Sequence, residues 1–466
     1  ELRAEFIEAA LESLRKAFPR GQLQFAFIRP DTPLESFRAG GAWNASADLR
    51  SAPRPLMALG DGSKLRESLK KKSNKSRLNR LEKLGALQFQ HVRRFEDIEA
   101  EIDEIFAFND IRKGAVYGKL PFRNDPGKRP FHIALLKAPQ LLHVSVMRLD
   151  GKVISAHIGA VDGNQVMLGI VTHSPFLAEH SVGKLHILFL GIQLAEEGFR
   201  EFDLTPGGAY KDRFATHRDE VFVLTIFFRR GDRLRYKAHR RMAGFARKSL
   251  RRLAEEPGAA GNNNGGNRSV TARFRALAGL RSSLFETRET RLYKTEISRF
   301  SNPVEPLAMR RDDLNELMSY QATDEGRASA QEFLSDALAS LEAGHRAYTS
   351  VSGKVLVCSG WLAGPLAAVE LRDLGREWRV PGDGAALYGF YVHPDHRENG
   401  LREGALVRML RDAAAEGAAY AYVLVPGADR AACRWIEAAG FRYEESFFRR
   451  SALDRAIHRS ARSRAE

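Results

Sequence analysis

The chain has 466 residues, 44% of them hydrophobic, and Lys and Arg outnumber Asp and Glu by 73 to 58. Such a length exceeds one ordinary core and predicts two or three domains, while no apolar run approaches the roughly 18 residues that would cross a membrane. The two cysteines, Cys358 and Cys433, are too few for a disulfide framework and lack metal-ligand spacing, so a cytoplasmic protein with core cysteines and no metal is expected. The sequence opens at Glu1 without a methionine and leaves open whether an upstream segment is missing.

In chain order, "ELRAEFIEAALESLRKAF" has the period of an amphipathic helix and "QLQFAFI" that of a strand; together they make a first segment, 1–52, that fits neither of the later halves. Residues 65–84 predict one basic helix, "LQFQHV" a strand and "FEDIEAEIDEIFAFNDI" a helix. Three strands with turns between them follow in "LLHVSVMRL", "KVISAHIGAV" and "NQVMLGIV". The helix "GKLHILFLGIQLAEEG", the short strand "REFDLT" and the strand "EVFVLTIFF" close this half, 53–229.

Apolar residues vanish in "EEPGAAGNNNGGNRSV", which predicts a flexible linker at 255–270. Beyond it the plan repeats over 290–450. Two helices precede a meander of "HRAYTSV", "KVLVCSGWLA" and "PLAAVELRDL", and "ALYGFYV" runs through "VHPDHRENGLREGALVRML" into a helix. The strand "AYAYVLV", the helix "ADRAACRWIEAA" and the strand "GFRYEESFFRRS" finish it. The fold class is therefore α/β (α+β), two mixed sheets flanked by helices. The cationic excess concentrates in 64–83 and 229–252, fields that attract a polyanion such as tRNA or an anionic glycan or lipid surface.

Residues 392–410 pose a chemical question. A glycine at 400 lets the chain turn sharply into a helix whose first amides point outward, a good seat for pyrophosphate, with Arg397 or Arg402 to add charge-assisted bonds. Val392, His393, Pro394, Arg397, Gly400 and Leu406 resemble the coenzyme A-binding segment of the GNAT acyltransferases, and Gly440–Phe441 resembles the superfamily's closing element. Three positions depart from that pattern: Arg402 replaces a small residue, Ile436 replaces a tyrosine, and no carboxylate lies in "ALYGFYV". The departures leave two possibilities open, proton transfer through other groups or a copy that has become structural.

The preceding half resembles the CelD-like acetyltransferases named for cellulose biosynthesis, a GNAT branch related to Fem-type aminoacyl transferases. The marks are Ser181, Gly183 and Leu185 at a helix start, then Phe202, Asp203, Gly207, Tyr210, Lys211, Arg213 and Phe214 in "FDLTPGGAYKDRF". This resemblance implies tandem GNAT folds: a remnant of a further unit at 1–52, a CelD-like domain at 53–254, and a second GNAT domain at 271–466. It implies acetyl-CoA or another acyl-CoA as cofactor, bound by Ser181 and Gly183 in one copy and by Val392, Arg397, Gly400 and Arg402 in the other. Asp203 is the expected proton acceptor, with Tyr210 and Lys211 stabilising anionic charge. The implied reaction is acyl transfer to an amine or hydroxyl of a sugar or polysaccharide precursor. Two competing readings are a Fem-like, aminoacyl-tRNA-dependent transferase and a non-catalytic scaffold of envelope polysaccharide assembly. His157 and His173 are read as structural histidines.

Overall fold

The structure is a computed structural model that describes residues 2–138, 140–229, 231–238, 286–300, 304–323, 328–397, 400–452 and 455–462. The linker 255–270 and most of the basic stretch 229–252 lie outside the described residues. The chain divides into two compact units, each discontinuous in sequence: residues 1–64, 159–169 and 191–269, and residues 65–158, 170–190 and 270–466.

The first unit is built on a mixed sheet. Strand β1 (Gln22–Ile28) pairs antiparallel with β9 (His217–Phe227), and β9 pairs with β2 (Ala47–Ala58). The far end of β2 pairs antiparallel with β8 (Glu201–Asp203), and β8 runs parallel to β6 (Gln165–Met167). Helix α1 (Leu2–Ala17) supplies Leu11 to a core that also holds Trp43, Leu224 and Ile226. Two prolines sit inside β2, where a missing N–H would break a doubly paired ladder. They are tolerated because Pro55 turns its carbonyl toward the β8 side, accepting from Leu204 N at 3.1 Å, and Pro53, two residues earlier, faces the same side.

The second unit holds two larger sheets and a two-stranded ribbon. Strands β3 (Leu87–Val92), β4 (Leu142–Leu149), the first part of β5 (Lys152–Asp162) and β7 (Ile170–His173) form an antiparallel group. The expected single basic helix is instead two, α2 (Ser63–Lys70) and α3 (Lys72–Glu82). Lys71 takes an extended backbone (ψ 137°), and buried Asn74 stabilises the break by donating from Nδ2 to the Ser68 carbonyl at 2.6 Å.

The other sheet has the order β11 (Arg310–Arg311), β12 (Arg346–Ser352), β13 (Val355–Ala363), β16 (Gly384–Val392), β17 (Tyr420–Pro426), β10 (Glu286–Glu296), β18 (Arg442–Ala452) and last β19 (Arg455–Arg462). All its pairs are antiparallel except β16 with β17, which run parallel from Gly384–Tyr420 to Leu387–Val423 and are not paired beyond that point. Just past it Gly389 adopts φ +62°, and the β13–β16 register shifts there, which turns β16 away. The stretch "PLAAVELRDL" does not join this sheet: Ala368–Leu371 pairs with Arg376–Arg379 as a separate ribbon.

Helices cover both faces. Helix α10 (Leu401–Ala415) and helix α11 (Arg430–Ala438) bury Leu406, Met409, Cys433 and Ile436 with Val423 and Cys358. Helix α4 (Ile102–Tyr117) and helix α9 (Ala330–Glu342) share one core, in which Ile105, Ile111, Leu334 and Leu341 are buried. Gly114 makes that contact close, since a β-carbon there would lie 2.6 Å from a Leu334 methyl. Both cysteines are buried and free.

Candidate active site

Asp203 is the last residue of β8, and the chain beyond it is knotted by short-range polar bonds. Its carbonyl accepts from Leu168 N at 2.7 Å, and its Oδ1 accepts from Thr205 N at 2.7 Å. Oδ2 lies 3.2 Å from the Arg54 guanidinium, which also grips Asp219, with Nε donating to Oδ1 at 2.7 Å. Asp203 is 1% exposed, and Arg54 7%. Burial pushes the Asp203 carboxyl above its usual range, while the Thr205 amide and the Arg54 charge offset part of that shift. The Arg54 guanidinium is held charged chiefly by its bond to Asp219.

Thr205 follows in a left-handed conformation, φ +57°, uncommon for a β-branched residue. Gly207 and Gly208 continue at φ +89° and +84°, conformations glycine adopts without cost, and reverse the chain into a tight turn over Ala209–Arg213. The reversal brings Lys211 back onto its own loop. Its Nζ donates to the Thr205 carbonyl at 3.1 Å and to the Thr205 hydroxyl at 2.8 Å, and the residue is only 9% exposed. Tyr210, beside it, is 45% exposed. The structure thus brings Asp203, Thr205 and Lys211 into one chain of contacts, with a buried carboxylate at one end and a fixed ammonium at the other.

Ser181 and Gly183 belong to the second unit. Ser181 is left-handed at φ +53°, and its carbonyl takes the Lys184 and Leu185 amides as helix α7 (Val182–Glu196) begins. Gly183 packs against His173: a β-carbon would lie 2.8 Å from Nδ1 of that ring. His173 is held neutral, its pKa well below the usual value, first by burial and then by the Arg112 charge. His186, one turn further along α7, is pushed down to about 3 by burial and bonds Ser145 at 2.9 Å.

In the same unit, Val392 is buried at the end of β16 and Gly400 is left-handed at φ +64° immediately before α10. Arg397 precedes it, and positions 398–399 are outside the described residues. The Arg402 guanidinium lies over the Trp435 ring, 5.1 Å from its centroid, and Trp435 in turn donates to Glu403 at 2.9 Å.

Two groups escaped the sequence reading. Arg54, a cation between Pro53 and Pro55, lies in a stretch for which the sequence predicts no element. Tyr388 is the first residue past the point where β16 and β17 stop pairing, and its hydroxyl lies 2.5 Å from His345 Nδ1 and 3.1 Å from Ser340 Oγ. Burial pushes it up to about 12. A search of that strand for carboxylates passes over it.

Residues 68–212 match the family model described as Acetyltransferase (GNAT) domain. No curated protein sequence matches the chain. Among solved structures, the C-terminal DUF2156 domain of an Agrobacterium fabrum protein named for lysylphosphatidylglycerol synthetase is 17% identical, covering 46% of this chain and 70% of that one, at a TM-score of 0.31. An acetyltransferase from the GNAT family from Colwellia psychrerythraea is 11% identical, covering 80% and 97%, at 0.26. A tandem GNAT protein from the clavulanic acid biosynthesis pathway is 13% identical, covering 82% and 100%, at 0.25.

Proposed function

We propose that the chain moves an acyl group from acyl-CoA to an amine or hydroxyl of a small acceptor, of the kind a sugar or polysaccharide precursor offers. The working copy in this reading is the CelD-like segment 53–254, and 271–466 is a second GNAT copy. The observation that carries the reading is the loop 203–211, which lies within the matched segment 68–212 and holds a lysine ammonium in a fixed, largely dehydrated position.

The start of α7 suits a pyrophosphate. The Gly183 amide belongs to the first turn and has no partner inside the helix, and His173 leaves Gly183 no room for a side chain that would cover it. Ser181 and Gly183 are the residues proposed to hold the cofactor there; Val392, Arg397, Gly400 and Arg402 are their proposed counterparts in the second copy. Acyl-CoA supplies an activated thioester and needs no covalent enzyme intermediate.

Within the loop, Lys211 and Tyr210 favour an anionic acceptor or negative charge developing on the acyl carbonyl. In place of the expected proton acceptor, Asp203, buried and bound to the Arg54 guanidinium and the Thr205 amide, acts as a positioning residue: by fixing Thr205 it fixes the two oxygens that hold the lysine. Calorimetric titration with acetyl-CoA tests the cofactor assignment. A site weakened at least tenfold by Gly183→Ala and unaffected by Arg397→Ala is expected for the first copy; loss only in Arg397→Ala moves the assignment to the second copy, and no heat at millimolar acetyl-CoA removes it.

A further inference from the structure

Between residues 70 and 83 the sequence places seven Lys or Arg against a single acid, Glu82. Cations elsewhere in the chain are commonly paired, as Arg129 is with Asp103 and Arg148 with Glu101. Here Lys70, Lys71, Lys72, Lys75, Arg80 and Lys83 are all exposed, and among the described residues none forms an ion pair. A helix that kept these charges only for solubility would gain from interspersed acids on the same face.

The surface is also built, not a loose tail. Leu81 is fully buried and, with partly buried Leu69, packs on Met147 and Leu185, so each helix anchors an apolar side chain in the core. Asn74, 2% exposed, locks the corner between α2 and α3. What remains outward is a row from Lys72 to Lys83 about 16 Å long, with exposed Ser76 and Asn79 between the cations. Hydroxyl and amide side chains alternating with lysines are the groups that contact phosphate oxygens. An interfacial membrane helix instead needs an outward apolar face, and on α3 that face points inward.

We propose that the α2–α3 corner binds the phosphate backbone of a nucleic acid without reading its bases. The inference is independent of the acyl-transfer reading. The probe is a fluorescein-labelled 20-nucleotide oligouridylate, titrated by anisotropy between 50 and 300 mM KCl, with phosphatidylserine-containing vesicles as the second arm. Neutralising six phosphates predicts a slope of log K against log salt of about −4. The combined variant Lys72→Gln, Lys75→Gln, Arg80→Gln and Lys83→Gln touches only exposed side chains; it should keep its circular dichroism and lose about three of those units of slope. No binding at 50 mM salt, an unchanged slope in the folded variant, or vesicle binding lost in the variant while the RNA stays unbound would each overturn the proposal.

Discussion

Replacing Arg54 by Met tests whether the loop is organised by a buried charge pair. The guanidinium sits between Asp203 and Asp219, and the two carboxylates have different recourse when it goes. Asp219, with a side chain 36% exposed, can turn to water; Asp203, 1% exposed, cannot. Removing one member of a buried pair costs about 3–5 kcal/mol, and because Asp203 keeps its bond from Thr205 N the lower end, about 3 kcal/mol, is expected. Adding Asp203→Asn removes the stranded charge and should recover more than half of the loss.

The pH dependence gives the sign independently. Asp203 is raised above its unfolded value of 3.8, and losing Arg54 raises it further. For a carboxyl raised on folding, the penalty is absent below the unfolded pKa and grows as pH rises through the folded one. Arg54→Met should therefore come closest to wild type near pH 4 and fall furthest behind at pH 7. Urea unfolding followed by tryptophan fluorescence measures this, with Trp43 buried in the same unit as reporter. A loss below about 1 kcal/mol, or a double variant no better than the single, would refute the reasoning.

Further outcomes are expected elsewhere. His186 is buried neutral with a folded pKa of about 3, so its contribution is lost as pH falls below its unfolded value of 6.5. At pH 5 the loss is about 2 kcal/mol, and His186→Gln should remove that part of the acid sensitivity in unfolding titrations. Gly183→Ala drives a methyl into the His173 ring and should cost about 1–3 kcal/mol of stability, relieved in the double variant with His173→Ala. Gly114→Ala sets helix propensity, a gain of about 1 kcal/mol, against a clash with Leu334. The clash should win, because Leu334 is fixed in the core, and a lower urea midpoint is the readout.

Much of the architecture was legible because periodicity survives where one face is buried. Helix α10 and strands β13 and β17 read directly from their apolar patterns. Strand β2 did not: its Pro53 and Pro55 look like strand breakers, yet their missing N–H groups point away from β9, so no ladder bond to it is lost. The break at Lys71 was hidden for a similar reason, since nothing local forbids a continuous helix and the determinant is the Asn74 side chain reaching back six residues. In the candidate site, "FDLTPGGAYKDRF" announced a reversal through its glycines. The sequence could not show that the reversal buries Lys211 against Thr205, nor that Arg54, about 150 residues earlier, closes on Asp203; both depend on strand pairing.

The central claim, acyl transfer organised around the loop 203–211, is tested most directly by following free thiol release from acetyl-CoA against a panel of amine- and hydroxyl-bearing acceptors. Wild-type protein should release thiol only when an acceptor is present, and Lys211→Met should lower that rate by about a hundredfold or more while remaining folded. Thiol release that Lys211→Met leaves intact and Arg397→Ala abolishes, or none from any acyl-CoA with any acceptor, would contradict it.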